Sequence, residues 1–150
     1  MCIRDRLDRH LVWRWKSRLD AAAMQAAAEV LVGEHDFTSF ETTPSTRLSK
    51  VRTIHALQVS RPLLHDDAPG AEVWIEVEGN GFLYNMVRII AGSLVMVGSG
   101  RRTRDWLAGA LAARSRPAAG PTAPPEGLVL LQTTLSPDVS WQNFPTDSAH

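Results

Sequence analysis

The sequence is short of several things, and each shortage removes a class of explanation. It holds one cysteine, Cys2, in 150 residues, so neither an internal disulfide nor a cysteine-based zinc site can form, and a lone thiol suits a reducing compartment. It has no excess of either charge, with sixteen basic residues against sixteen acidic ones. The field of the whole protein therefore does not draw in nucleic acid, and any such partner must be met by a local patch. No apolar run reaches membrane-spanning length, because Arg88 interrupts the longest candidate, and no apolar stretch follows the charged start Met1 to Arg6 as it would in a signal peptide. These absences describe a soluble, cytoplasmic protein. Internal repeats and low-complexity tracts are missing too, and the five histidines are scattered rather than spaced as metal ligands.

What is present is enough for one compact domain. A hydrophobic content of 44% over 150 residues supports a real core but not two ordinary domains. The expected division is a short N-terminal segment at 1–9, an alpha/beta domain at 10–135 and a flexible tail at 136–150.

The chain is organised around Gly79 to Gly100, which reads as one glycine-bracketed, almost wholly apolar helix carrying a single charge, Arg88. At helical spacing Asn85, Arg88 and Gly92 share one narrow stripe, while Met86, Val87, Ile89, Ile90, Leu94 and Val97 cover the rest. A helix apolar nearly all round is a buried helix. A buried arginine cannot shed its charge and calls for an anionic partner, whose removal costs ~3 to 5 kcal/mol. The partner is either a phosphate or a carboxylate, and Asp36, Glu41, Glu76 and Glu78 are the local candidates.

Around that helix the pattern is regular. His10 to Lys16 alternates as a half-buried strand with Leu11, Trp13 and Trp15 on one face. Asp20 is placed to cap a helix over Ala21 to Val32, with Gly33 as its stop. Val51 to Ser60 and Glu72 to Glu78 form an antiparallel hairpin, with Val51, Thr53, His55, Leu57 and Val59 on one side of the first strand and Val73, Ile75 and Val77 inward on the second. Thr103 caps a short helix from Arg104 to about Arg114, Ala118 to Pro125 is a connector, and Gly127 to Leu135 is a last, central strand. The order is βαββααβ, the ferredoxin-like split pattern. It implies an α+β fold, an antiparallel or mixed sheet with helices on one face.

Several chemistry-like features are weaker than they look. His35 and Asp36 are neighbours in an extended segment and point to opposite sides, with no nucleophile at a recognisable spacing. His55 has nothing near it in sequence to complete a metal site. Gly98-Ser99-Gly100 lacks the lysine and spacing of a phosphate loop. Arg101, Arg102 and Arg104 cluster at one corner, with Arg114 and Arg116 further along; they form either a solvated basic face or a set of phosphate contacts.

Several blocks together resemble the C-terminal half of the TruA-type tRNA pseudouridine synthases: Leu31-Val32-Gly33-Glu34-His35-Asp36-Phe37-Thr38-Ser39-Phe40, Val51-Arg52-Thr53-Ile54, Gly81-Phe82-Leu83-Tyr84-Asn85-Met86-Val87-Arg88-Ile89-Ile90-Ala91-Gly92-Ser93-Leu94, and Ala123-Pro124-Pro125-Glu126-Gly127-Leu128. The likeness runs from about Leu19 to Leu135, and residues 1–9 match nothing in it. It implies one half of a pseudouridine synthase fold that isomerises uridine to pseudouridine in the tRNA anticodon stem-loop, without cofactor or metal. The target nucleotide is flipped out of the stack to be reached. Arg88 would be the partner of the catalytic aspartate. That aspartate lies, in the family, in an Arg-Thr-Asp-x-Gly segment of the N-terminal half, and no such segment occurs in these 150 residues. The family's base-stacking tyrosine also belongs to a segment before the matched region.

The chain is thus expected to be a fragment, inactive alone, whose partners are the tRNA anticodon arm and the N-terminal half of the same enzyme, with homodimerisation a further expectation and no membrane. Leu128 and Leu130 would line the uridine pocket, and Arg52, Arg101, Arg102 and Arg104 would touch RNA phosphates. The alternative is a non-catalytic ferredoxin-like RNA- or protein-binding module. Against its RNA form, Glu72, Glu76 and Glu78 stand where RNA would have to bind.

Overall fold

The computed structural model describes residues 12–42, 49–61 and 72–134. Helix α1, Ala21–Ala28, starts where Asp20 Oδ1 accepts the amide of Ala23 at 3.0 Å. It is built from alanine, the best helix former, and buries Met24, Ala27 and Ala28. The helix does not run on to Val32. It tightens into a 3-10 turn, Glu29–Leu31, and Gly33 opens strand β1, Gly33–Asp36, at φ 106°. A second 3-10 turn, Thr38–Phe40, leads to β2, Val51–Ser60, and β3, Trp74–Gly79. The sheet is antiparallel, in the order β1-β2-β3.

Pairing in β2 corrects the expected face. A bulge between Ile54 and Ala56 shifts the register against β3. Ile54 and Leu57 therefore both point into the core, while Val51 and His55 are exposed. One inserted residue reverses the alternation for everything beyond it. β3 keeps the expected pattern, with Ile75 and Val77 against the core and Trp74, Glu76 and Glu78 outward.

The central helix is shorter than its glycine brackets. Gly79 ends β3, residues 81–83 are irregular, 84–85 turn, and α2 runs Met86–Gly98. Its Met86, Ile89, Ile90, Leu94 and Val97 form one core with α1 and the sheet. Gly98 lies against Met24, and its carbonyl accepts the amide of Asp20 at 2.8 Å, which ties the start of α1 to the end of α2. Helix α3, Arg104–Ala113, is capped by Thr103 as the sequence indicates, with the amide of Trp106 donating to its Oγ1 at 3.2 Å. A short 3-10 turn, Arg116–Ala118, follows.

The α+β architecture stands, but the first and last expected strands do not form among the described residues. Of His10 to Lys16, His10 and Leu11 lie outside those residues, and the rest is irregular. Trp13 and Trp15 instead pack edge to face at 5.4 Å and lean on the core. Among the described residues no strand pairs with this segment, and its two faces are expressed in aromatic packing instead. Residues 127–134 pair with no strand among the described residues, and Leu135 lies outside them. No described helix is long and apolar enough to cross a membrane.

Candidate functional site

Arg88 lies in the first turn of α2, half-buried rather than enclosed. Its Nε donates to the carbonyl of Ala123 at 2.7 Å and its Nη1 to Asn85 Oδ1 at 2.9 Å. The partner is therefore not the local carboxylate that full burial would have demanded. Each of the four candidates is placed elsewhere: Glu41 pairs with Lys50, Asp36 lies 3.4 Å from Arg114 Nε, and Glu76 and Glu78 are exposed on β3. A guanidinium carries five N–H donors. Only the Nε and one Nη1 donor of Arg88 meet acceptors among the described residues. Partial exposure makes this tolerable, since water can reach the rest of the fork.

Beside Arg88 is a cleft of about 170 Å³ lined by Leu83, Asn85, Met86, Val87, Arg88 and Leu128. One wall is apolar and the other carries the charge. Such a pairing suits a flat, uncharged ring held next to an anionic group.

Residues 120–123 form a strap laid along α2 and bonded to Arg88. Gly120 N donates to Ser93 Oγ at 2.9 Å, and Ala123 N donates to the carbonyl of Arg88 at 3.0 Å. Gly92 makes the approach possible, because a Cβ there would stand 1.9 Å from the Pro121 carbonyl oxygen. Arg116 grips the strap from outside, donating to Gly120 O at 2.8 Å and to Thr122 Oγ1 at 3.1 Å. Of the stripe, Arg88 and Gly92 thus face this strap, while Asn85 bonds Thr42 and Arg88. The sequence marked the stripe but gave the strap only the look of a connector, since backbone carbonyls leave no trace in residue type.

The other expected site residues are dispersed. Leu128 lines the cleft with Arg88, whereas Leu130 lies outside it and is 79% exposed. Arg52 sits on β2 beside Gly81 and donates to the carbonyls of Ser49 and Val51. Arg101 lies over the Trp15 ring at 5.3 Å and Arg102 over the Trp106 ring at 5.5 Å, so two of the corner arginines rest on aromatic faces. Arg104 is exposed at the start of α3.

A second, wider cleft of about 580 Å³ is lined by Val30, His35, Asp36, Ala108, Leu111, Ala112 and Arg114. Its polar groups serve the fold. His35 Nε2 meets the Val32 carbonyl at 3.0 Å, and Asp36 Oδ1 accepts from Thr38 N at 3.0 Å and Thr38 Oγ1 at 2.5 Å. The Thr38 hydroxyl, helped by its amide and by Arg114 and Lys50, holds the Asp36 carboxyl below the usual carboxylate range, against a smaller opposing effect of burial. Among the described residues no group of three or more His, Cys, Asp or Glu side chains could hold a metal ion.

Comparison with known proteins bears on the same stretch. A family model described as tRNA pseudouridine synthase matches residues 27–134. The tRNA pseudouridine synthase A of Stenotrophomonas maltophilia is 45% identical over 130 residues, covering 86% of this chain and 48% of that protein. The enzyme of the same name from Brevibacillus brevis is 52% identical over 112 residues, 75% of this chain and 43% of the relative. That of Acidiphilium cryptum is 46% identical over 127 residues, 85% and 47%. The chain spans about half the length of the curated relatives it matches.

Proposed function

We infer the function of this chain from its family: it belongs to the tRNA pseudouridine synthases. We propose that it supplies one wall of an active site that isomerises uridine to pseudouridine in the anticodon stem-loop of tRNA, in the cytoplasm and without cofactor or metal. The other wall, with the catalytic aspartate, comes from an N-terminal half, and the chain is inactive alone. The flipped uridine lies against Leu128, and the aspartate reaches it from the opposite side. The glycosidic bond from C1′ to N1 breaks, the base rotates, C1′ bonds to C5 instead, and C5 gives up its proton while N1 takes one up, so the overall change is an isomerisation. Arg88 orients the aspartate and stabilises its charge.

One observation carries this reading. Arg88 lines an apolar cleft with part of its guanidinium unpartnered among the described residues, and every local carboxylate that might have neutralised it is placed elsewhere. A permanent cation beside an apolar wall is suited to an incoming anion and a flat base. Arg101 and Arg102, preorganised on Trp15 and Trp106, together with Arg104 and Arg52, are assigned to RNA phosphates. The module reading without catalysis is less well supported in its RNA form, because the open face of the sheet presents Glu76 and Glu78.

The test is uridine isomerisation on a tRNA transcript by the chain alone and by the chain mixed with the N-terminal half of the Stenotrophomonas relative. Turnover is expected only in the mixture, and Arg88→Ala should abolish it. Turnover by the chain alone that survives Arg88→Ala would sink the mechanism.

A further inference from the structure

Asn85 shares the Arg88 stripe and has no part in the reaction just described. Its backbone is left-handed, at φ 60°, a region that glycine enters freely and other residues enter at a cost, asparagine less than most. Glycine would satisfy the turn, yet the residue present has a side-chain amide with both ends engaged. Its Nδ2 donates to Thr42 Oγ1 at 3.2 Å and its Oδ1 accepts from Arg88 Nη1 at 2.9 Å. The orientation of the amide is unambiguous, because an arginine can only donate and the oxygen must face it. Thr42 is itself fixed, its backbone amide donating to the Tyr84 carbonyl at 3.4 Å.

Arg88 is therefore held at two corners of one rigid plane. Ala123 O takes Nε from the strap, and Asn85 Oδ1 takes Nη1 from the turn before α2. Two acceptors on different nitrogens of a planar fork fix both its tilt and its rotation, where one would leave it free to swing. The Thr42 anchor prevents Asn85 from following the arginine. We propose that Asn85 is a positioning residue for Arg88, aiming the remaining guanidinium donors at an anionic group that enters the cleft beside Leu128. Its consequence for catalysis rests on the function proposed above, but the positioning itself does not.

The experiment uses the full chain labelled with nitrogen-15 and reads hydrogen exchange at Arg88 Nε–H. Asn85→Gly keeps the left-handed turn and removes the amide, and it should speed that exchange about tenfold, on the scale of one hydrogen bond to a charged group. Asn85→Asp keeps the acceptor and should restore a rate near wild type. The backbone amide of Ile89, which donates to the Asn85 carbonyl at 3.0 Å, reports whether the helix start survives. If it does not, Thr42→Val decides, since it removes only the anchor and should also speed exchange at Arg88. Exchange unchanged in both Asn85→Gly and Thr42→Val overturns the proposal. In the tRNA assay with the N-terminal half, Asn85→Gly should lower kcat with little change in KM, and Asn85→Asp should recover part of it. If wild type shows no isomerisation in any mixture, the functional reading fails while the exchange data still decide the positioning.

Discussion

Residues 120–123 and 128–131 lie a few positions apart and are opposites. The first group is small and proline-containing, and its backbone is fastened to α2 and Arg116 through Ser93 Oγ, both backbone and side chain of Arg88, and the Arg116 fork. The second is Leu128-Val129-Leu130-Leu131, four apolar side chains in succession that are 53 to 79% exposed. Composition alone would assign the burial the other way round. Hydrophobicity alone does not say which segment a chain buries, whereas small size and backbone geometry let the first segment lie close along α2. Covering a leucine fully is worth ~1.5 to 3 kcal/mol, so under the function proposed above the second segment would supply association energy, whereas the first is already fastened within this chain.

The comparison breaks most sharply at Gly92. A methyl group there would meet the Pro121 carbonyl at 1.9 Å, and that atom is backbone, so no side-chain rotation relieves the clash. Gly92→Ala should destabilise the chain by about 3 kcal/mol, the upper end of ordinary overpacking, as read by denaturant unfolding. The Arg88 Nε–H should also lose protection as the strap lifts. A variant within about 0.5 kcal/mol of wild type, the range of an ordinary surface substitution, would mean the strap is not seated on α2 as described.

What the sequence made legible follows the same division. Caps are local chemistry, and Asp20 and Thr103 were readable as the starts of α1 and α3. The shared stripe of Asn85, Arg88 and Gly92 was readable from helical spacing. Its partner was not, because the strap recognises α2 through carbonyls and through the absence of a side chain at Gly92. The bulge at His55 was hidden for a related reason: one extra residue in a ladder changes no composition but exchanges the faces of β2. Trp13 and Trp15 carried the signal of burial correctly and the signal of pairing wrongly, since alternation states that a segment has two faces and not that a neighbour hydrogen-bonds to it. Leu128 and Leu130 had the same weight as pocket residues in the sequence, and only the turn before them separates the one that reaches the cleft from the one that does not.

A smaller effect is expected on the seated side, at the turn that leads toward Thr42. Thr38 holds the folded-state pKa of Asp36 below its unfolded value of ~3.9. The carboxylate therefore contributes stability that is present above the unfolded pKa and is lost as pH falls through the folded one. Asp36→Asn should lower stability at neutral pH and flatten the acid side of the stability profile, with little difference from wild type at the lowest pH. Parallel profiles for the two proteins would remove Asp36 from the account of acid unfolding.

The smallest change in stability should come from the exposed run, and that is where the contrast is most informative. Leu128→Ser with Leu130→Ser should leave unfolding of the isolated chain within ~0.5 kcal/mol, as for other substitutions away from packed features. Association with the N-terminal half should weaken by more than about tenfold, since each leucine carries burial free energy of that order when covered. The single variants separate two uses of one segment. Leu130→Ser should affect association alone, because Leu130 lies outside the cleft. Leu128→Ser should also reduce turnover at saturating N-terminal half, because Leu128 lines the cleft beside Arg88. If both single variants behaved alike in both measurements, the run would be one undivided docking strip and Leu128 would have no place against the base.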